Sequence, residues 1–275
     1  MWINKYEIKK ISDDIRKTID GQNIDFRDNK EGILSLLKND IHTLATLKSE
    51  QAESFHKERD VMSDMLENMS HQLKTPLTSL MIMADLLEDS SLDKQSEFIY
   101  NIKFGIAQME WLVSNILKMA KLDADVVIFS KKNIKVEKLI KYTLEPLQIL
   151  LELKNHQVEV NNGDIEIYCD EKWTIEALTN VLKNASEHSP EGGKIIIDAG
   201  INPISQWISI TDNGEGISFD KMANLFKRFE GSRSDKGYGI GLPLALKIMY
   251  GQNGDINVDG GGNGKGATFQ LKFYK

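Results

Sequence analysis

His71 lies in the run Met69-Ser70-His71-Gln72-Leu73-Lys74-Thr75-Pro76-Leu77. Apolar residues recur around it at Met62, Leu66, Met69, Leu73, Leu77, Leu80, Ala84 and Leu87. That is the three-and-four spacing of a helix packed in a bundle or coiled coil. At about 100° per residue, His71 points away from this seam and Thr75, one turn on, shares its face. An exposed imidazole with a hydroxyl beside it can accept a phosphoryl group or carry a proton. Pro76 removes the amide that would bond back to Gln72 and should bend the helix just after the histidine. Taken alone, the same residues also describe an ordinary surface histidine.

Further residues with chemical potential follow downstream. Asn180 and Asn184 share one helix face. Two amide oxygens one turn apart can help hold a hard cation such as Mg²⁺, which also keeps waters and substrate phosphates. Paired asparagines are equally common on a solvated face. Asp212-Asn213-Gly214-Glu215-Gly216-Ile217 follows a strand with Ile208 and Ile210 on it. A carboxylate at a strand end can accept a hydrogen bond from an exocyclic amine such as that of adenine, with the glycines letting backbone approach the base. Asp-Asn-Gly also marks a plain turn. Gly237-Tyr238-Gly239-Ile240-Gly241-Leu242 runs directly into a helix, and glycine amides at a helix N-terminus bind phosphate well. Gly264-Lys265-Gly266-Ala267-Thr268-Phe269 adds another glycine motif before the last strand.

The elements that must position these residues divide near residue 125. Ile8, Ile11, Ile15 and Ile19 mark a short amphipathic helix, followed by a turn at Asp20–Asn23 and a polar stretch to Glu31-Gly32. A second pattern starts at Leu37 and runs through Ile41, Leu44, Phe55 and Met62 into the histidine helix, which ends near Glu88. The next helix carries Phe98, Ile102, Ile106, Met109, Val113, Ile116 and Ala120 on its seam, with Trp111 and Met109 read as packing residues. Two long amphipathic helices cannot bury both seams alone, so a dimeric four-helix bundle is expected. Beyond 125 the pattern predicts a strand at 126–129, a helix over 136–153 despite Pro146, and strands at 157–160 and 165–169. A helix follows to about 188, then strands at 194–199 and 207–211, a helix at 240–250, and strands at 256–258 and 267–273. This mixture points to an α/β sandwich with helices on one face of a mixed sheet.

Composition bounds the possibilities. The 275 residues allow about two domains, and 41% hydrophobic with 27% charged residues describes a folded protein with a sizeable core. A net charge of −7 without a dense basic run argues against a nucleic-acid partner. The single cysteine, Cys169, excludes an internal disulfide and a multi-cysteine metal site, and is expected buried at a strand end. With no run of 18 apolar residues and no signal-peptide pattern, the chain reads as a cytoplasmic portion. Membrane attachment is expected through a segment absent from it.

Taken in order, these motifs resemble the sensor histidine kinases of two-component systems over at least residues 60 to 275. Residues 68–77 look like the family's H box, Asn180 through Pro190 its N box, and 212–217 its first glycine box. Phe226-Lys227-Arg228-Phe229 resembles the F box, 237–242 the second glycine box and 264–269 the third. The resemblance implies an α + α/β protein: a helical-hairpin dimerisation domain at 59–124, then a Bergerat-type ATP-binding domain at 125–275. Residues 1–58 resemble a HAMP-like relay with a signalling coiled coil, a plain helical linker being the alternative.

By the same resemblance, ATP would phosphorylate His71, and the group would pass to an aspartate of a cognate response regulator. Asn180 and Asn184 would handle Mg²⁺ and phosphates, and Asp212 would read adenine. Gly214, Gly216 and Phe226 would shape the base pocket; Gly237, Gly239, Gly241, Leu242 and Thr268 would complete the nucleotide site. Arg228 would reach the γ-phosphate, and the segment from Phe229 to Gly237 would form the ATP lid. Thr75 matches the hydroxyl used in dephosphorylating the regulator, and Ser79, Met83 and Leu86 continue an outward stripe suited to docking it. Two positions depart from the pattern. Gln72 stands where an acid usually follows the histidine, and Glu187 where a lysine often sits, so that a carboxylate would repel phosphate unless it points away, with Lys183 and Arg233 as the cations that would compensate. Two other readings remain: an ATPase switch of gyrase or Hsp90 type, which uses a glutamate at the Asn180 position, and a weakly ATP-active scaffold acting mainly as a regulator phosphatase.

Overall fold

The computed structural model describes residues 5–19, 33–88, 92–229, 238–261 and 265–275. By its contacts the chain divides into two units, Met1–Ser70 and His71–Lys275. In the first, α1 (Lys5–Ile19) buries Ile11. Helix α2 (Ile33–Glu88) begins here and leaves Leu36, Leu37, Leu44, Leu47 and Phe55 exposed. No described helix is long and apolar enough to cross a membrane.

The second unit begins at His71 within α2, whose helical run continues through Pro76. Helix α3 (Leu92–Asp123) lies beside it. They meet closely at Gly105, where an added Cβ would come 2.8 Å from Leu80 Cδ2. The ATP-domain-like part follows as β1 (Lys131–Lys135), α4 (Val136–Leu144), a 3₁₀ turn (Glu145–Leu147), α5 (Gln148–Leu153), β2 (Gln157–Val160), β3 (Glu166–Asp170) and α6 (Glu171–His188). Next come β4 (Lys194–Ile201), β5 (Ser205–Asp212), α7 (Phe219–Met222), α8 (Gly241–Gly251), β6 (Gly254–Asp259) and β7 (Thr268–Tyr274). A five-stranded sheet has the order β2-β4-β5-β7-β6, parallel only between β2 and β4, and β1 pairs antiparallel with β3 in a second, two-stranded sheet.

Alternation along β4 and β5 sends Ile195, Ile197, Ile208 and Ile210 inward, where they are fully buried with Phe269 and Leu271 of β7. Helices α6 and α8 cover them with Leu178, Val181, Leu182, Leu244 and Ile248. Truncating one of these leucines to alanine costs about 2–5 kcal/mol. The mixed sheet with helices against it is the architecture expected from the strand pattern.

Two local expectations fail. Residues 126–130 form no strand; Val126 and Ile128 are exposed, and the strand lies later, at β1. β1 is polar apart from Ile134, so β3, its partner, rather than its own apolar pattern makes it a strand. The helix expected over 136–153 breaks into α4, a 3₁₀ turn and α5, because Pro146 has no amide to donate.

A buried polar knot joins the interdomain segment to the sheet. Gln252 Oε1 accepts from Asp170 N at 2.6 Å, and its carbonyl accepts from Lys131 Nζ. Asp170 Oδ2 accepts from Ser130 N at 2.7 Å, and Oδ1 caps α6 through Trp173 N at 3.1 Å. Hydrogen bonds from Lys132 and Lys138 hold the Glu171 carboxyl below its usual range. The folded value being the lower one, this contribution is present at neutral pH and lost as acid protonates the group.

Helix α3 carries two stripes. Leu112, Asn115, Met119 and Leu122 are buried, and α3 packs on α8. The seam residues Ile106 and Val113 are left exposed, as are Leu77 of α2 and Leu117. Asn115, 1% exposed, has no hydrogen-bond partner among the described residues for either amide atom. Leaving such a group unpaired costs about 1–3 kcal/mol. Asn115→Leu should therefore raise the thermal midpoint by about 2–4 °C, measured by differential scanning calorimetry; a lowered midpoint would show that the amide has a partner. Burial pushes the Cys169 thiol up to about 11 despite a hydrogen bond with Thr174. At pH 8 the native protein should resist a thiol reagent and react only once unfolded, and fast native labelling would count against the burial.

Candidate functional site

Several of the residues singled out in the sequence converge on one cavity of about 1070 Å³ inside the 71–275 unit. Asn180, Asn184, Asp212, Gly216, Gly239, Gly241 and Leu242 line it, and so do Gln72 and Thr75 of the histidine helix. Its volume is at the upper end of the range for small-molecule sites.

Asp212 ends β5 and is 4% exposed. Its Oδ1 accepts from Gly214 N at 2.8 Å and from Ala267 N at 3.2 Å. Its own amide donates to Ala267 O at 3.0 Å, and Gly266 N donates to Gly214 O at 3.0 Å. The loop after β5 and the loop before β7 are thereby clamped to one carboxylate. Gly266, at φ +73°, passes so close that an added Cβ would sit 1.9 Å from Asp212 O. Among the described residues nothing donates to Oδ2, which leaves that oxygen for a ligand's amine.

Asn180 is buried on α6 and donates from Nδ2 to Glu176 O at 2.9 Å. That bond turns Oδ1 toward the start of α8, where a Cβ on Gly241 would lie 2.9 Å from it. Asn184, one turn along, is half-buried with no hydrogen bond to its side chain among the described residues. Two amide oxygens beside a helix N-terminus suit a hard cation that shares its shell with phosphates and waters.

Glu187 lines the same wall, with Lys183 Nζ 3.9 Å away. That nitrogen also stands 4.2 Å from the centroid of Trp111 on α3. Tyr238 is 6.0 Å from Trp111, ring to ring, and its hydroxyl donates to Gln108 Oε1 at 3.4 Å. Burial raises the Tyr238 phenol above its ordinary value. The sequence reading took Trp111 as packing alone. Its position off the α3 seam was the available signal that it serves another surface.

Other residues fall elsewhere. His71 is exposed and does not line the cavity, although Thr75 Oγ1 donates to its carbonyl at 3.3 Å. Arg228, expected at the γ-phosphate, instead pairs with Asp123 Oδ1 at 2.7 Å, where Lys247 also approaches to 3.3 Å. Phe226 and Thr268 lie outside the lining; the Thr268 hydroxyl bonds that of Thr211 at 3.0 Å. Gly214 is buried behind the wall against His188 O. Ser79 and Met83, read as a docking stripe, line the cavity, and Leu86 is exposed. Gly237, Gly264, Arg233, the lid segment and Glu31-Gly32 lie outside the described residues.

A family model for histidine kinase-, DNA gyrase B- and HSP90-like ATPases matches residues 169–275, and one for the His kinase A phospho-acceptor domain matches 61–125. The chain is 29% identical over 218 residues to the heme sensor protein HssS of Staphylococcus saprophyticus, covering 78% of this chain and 47% of that one. It thus spans about half the length, or less, of the curated relatives it matches. Among solved structures, histidine kinase ThkA in complex with the response regulator TrrA matches with a TM-score of 0.65 at 19% identity, over 83% of this chain and 66% of that one. Full-length ShkA with AMPPNP matches at 0.58 and 24% identity, over 76% and 45%. These two likenesses establish the fold.

The site makes one contact-level prediction. Gly241→Ala should displace the Asn180 amide and weaken Mg²⁺-dependent nucleotide binding by about tenfold, the scale of one charge-assisted hydrogen bond. Calorimetric titration checks this, and unchanged affinity would remove Asn180 from the site.

Proposed function

The chain belongs to the sensor histidine kinases of two-component systems, and on that premise we propose that it transfers the γ-phosphoryl group of ATP to His71 and then to an aspartate of a response regulator. The observation that carries this reading is the shared cavity. Its one wall holds Asn180, Asn184 and Asp212, and the other holds Gln72 and Thr75, which follow the histidine within one turn.

In the proposed reaction one His71 ring nitrogen attacks the γ-phosphorus, the bond to the β–γ bridging oxygen breaks, and ADP leaves. The other ring nitrogen holds the proton, with the Gln72 amide oxygen placed to orient it. In the second step an aspartate oxygen of the regulator attacks the phosphorus and the N–P bond breaks, restoring the imidazole. Asp212 would select adenine through its free oxygen. Asn180 and Asn184 would hold Mg²⁺, which, when bound, neutralises phosphate charge. Arg228 would reach the nucleotide after leaving Asp123.

The response regulator is proposed as partner by analogy with ThkA, which was solved with one. A second copy of the chain is proposed to cover the exposed seam at Leu77, Ile106 and Val113. We place these residues in the cytoplasm, attached to a membrane through sequence outside them. Gln72 also favours a second activity, dephosphorylation of the regulator, since its amide and the Thr75 hydroxyl can both hold an attacking water.

His71→Ala should abolish acid-labile labelling from γ-labelled ATP while nucleotide binding stays within about twofold. Gln72→Glu should label faster, because a base assists where an amide only orients; such assistance is worth up to about 10²–10⁴-fold. Gln72→Leu should label more slowly. Single-turnover labelling at saturating ATP reads all three, and equal labelling of the alanine variant would refute His71 as acceptor.

A further inference from the structure

From the α6 face and its contact with α3, we infer that Lys183 is the phosphate-neutralising cation of this nucleotide site and that Trp111 holds it in reserve. The inference rests on the nucleotide reading above. It starts from a deficit of charge. Among the described residues that line the cavity, Glu187, Asp212, Glu215 and Asp220 carry negative charge, and only Lys183 and Lys221 are lysines or arginines. A polyphosphate entering so acidic a wall needs a cation close to the asparagines.

Lys221 sits on α7, the four-residue helix after the Asp212 loop. Lys183 sits on α6 between Asn180 and Asn184. At about 100° per residue it stands about 60° around the helix from Asn180 and about 40° from Glu187. The position at 187 offers a carboxylate instead of a cation, and Lys183, one turn earlier, can reach over it. The Lys183 side chain is only about one-third exposed, and its Nζ is 3.9 Å from Glu187 and 4.2 Å from the Trp111 ring centre. It is a charge already drawn out of water and held by one carboxylate and one π face. Both contacts are weak enough to exchange for phosphate oxygens.

Trp111 belongs to α3, the second helix of the histidine hairpin, whereas Lys183 belongs to the nucleotide wall. Moving Lys183 onto phosphate therefore removes a contact between α3 and α6. Nucleotide occupancy and α3 docking then oppose each other, and by linkage a variant that loosens the docking contact tightens nucleotide binding.

The test is equilibrium titration of the 275-residue chain with AMPPNP and with AMP, in Mg²⁺, read by calorimetry and by tryptophan emission. Lys183→Met should weaken AMPPNP by about tenfold and AMP by less than about twofold, since AMP lacks the distal phosphates. Lys183→Arg should restore most of the affinity. Trp111→Leu should tighten AMPPNP by about two- to fivefold, and the nucleotide-induced change in emission should vanish with Trp111 and shrink in Lys183→Met. Wild-type binding that Lys183→Met matches would overturn the role of Lys183 alone. Tightening absent from Trp111→Leu, with its helix content unchanged by circular dichroism, would overturn the reserve. Failure of the wild-type chain to bind AMPPNP would remove the nucleotide reading, and this inference with it.

Discussion

The Asp212 carboxylate is the constraint on which the cavity wall depends. It is buried at the end of β5 and accepts two backbone amides, one from its own loop and one from the loop that leads into β7. A buried carboxylate is costly unless it is hydrogen-bonded, and here the bonds come from loops that would otherwise have no common anchor. Since both amides go to Oδ1, the second oxygen is held in a fixed direction without being used up. The close passage of Gly266 over the Asp212 carbonyl follows from the same clamp. One oxygen thus serves the fold, and in the proposed function the other would serve selectivity.

The second organising contact is between α3 and the α6–α8 layer. Lys118 pairs with Glu176 at 2.7 Å, and Asp123 gathers Arg228 and Lys247 at the foot of the helix. Each is partly solvent-exposed and of modest strength. The apolar stripe of α3 is interrupted by Asn115, whose amide has no partner among the described residues. Such an interface holds the two parts together without making their separation prohibitive. His71 itself lies outside the cavity, so the proposed transfer would require it to move relative to the cavity wall.

Much of the α/β part was legible because its signals are local. Asp170 precedes a helix as its cap, glycines stand where loops approach backbone, and isoleucines alternate along β4 and β5. The strand misread at 126–129 shows where locality ends. Its four consecutive apolar residues, Val126 to Phe129, suit a short strand, but no neighbouring strand offers it a ladder. The polar β1 has such a neighbour in β3. Pro146 was read as tolerable within a helix, yet a single missing donor divided α4 from α5.

By itself, the order of residues determined the helical hairpin, the mixed sheet and several of the candidate residues that share one cavity wall, since each depends on periodicity or on a residue type at a fixed spacing. Only the tertiary structure decided which side chains share a surface across long separations. Trp111 meets Lys183, and Arg228 meets Asp123 rather than the cavity. The two stripes of α3 also divide their labour, one buried against α8 and one left open. The physical reason is that pairings between distant segments are set by how packed layers come into register. Periodicity along the chain shows which face of a helix is apolar, but not which surface will cover it.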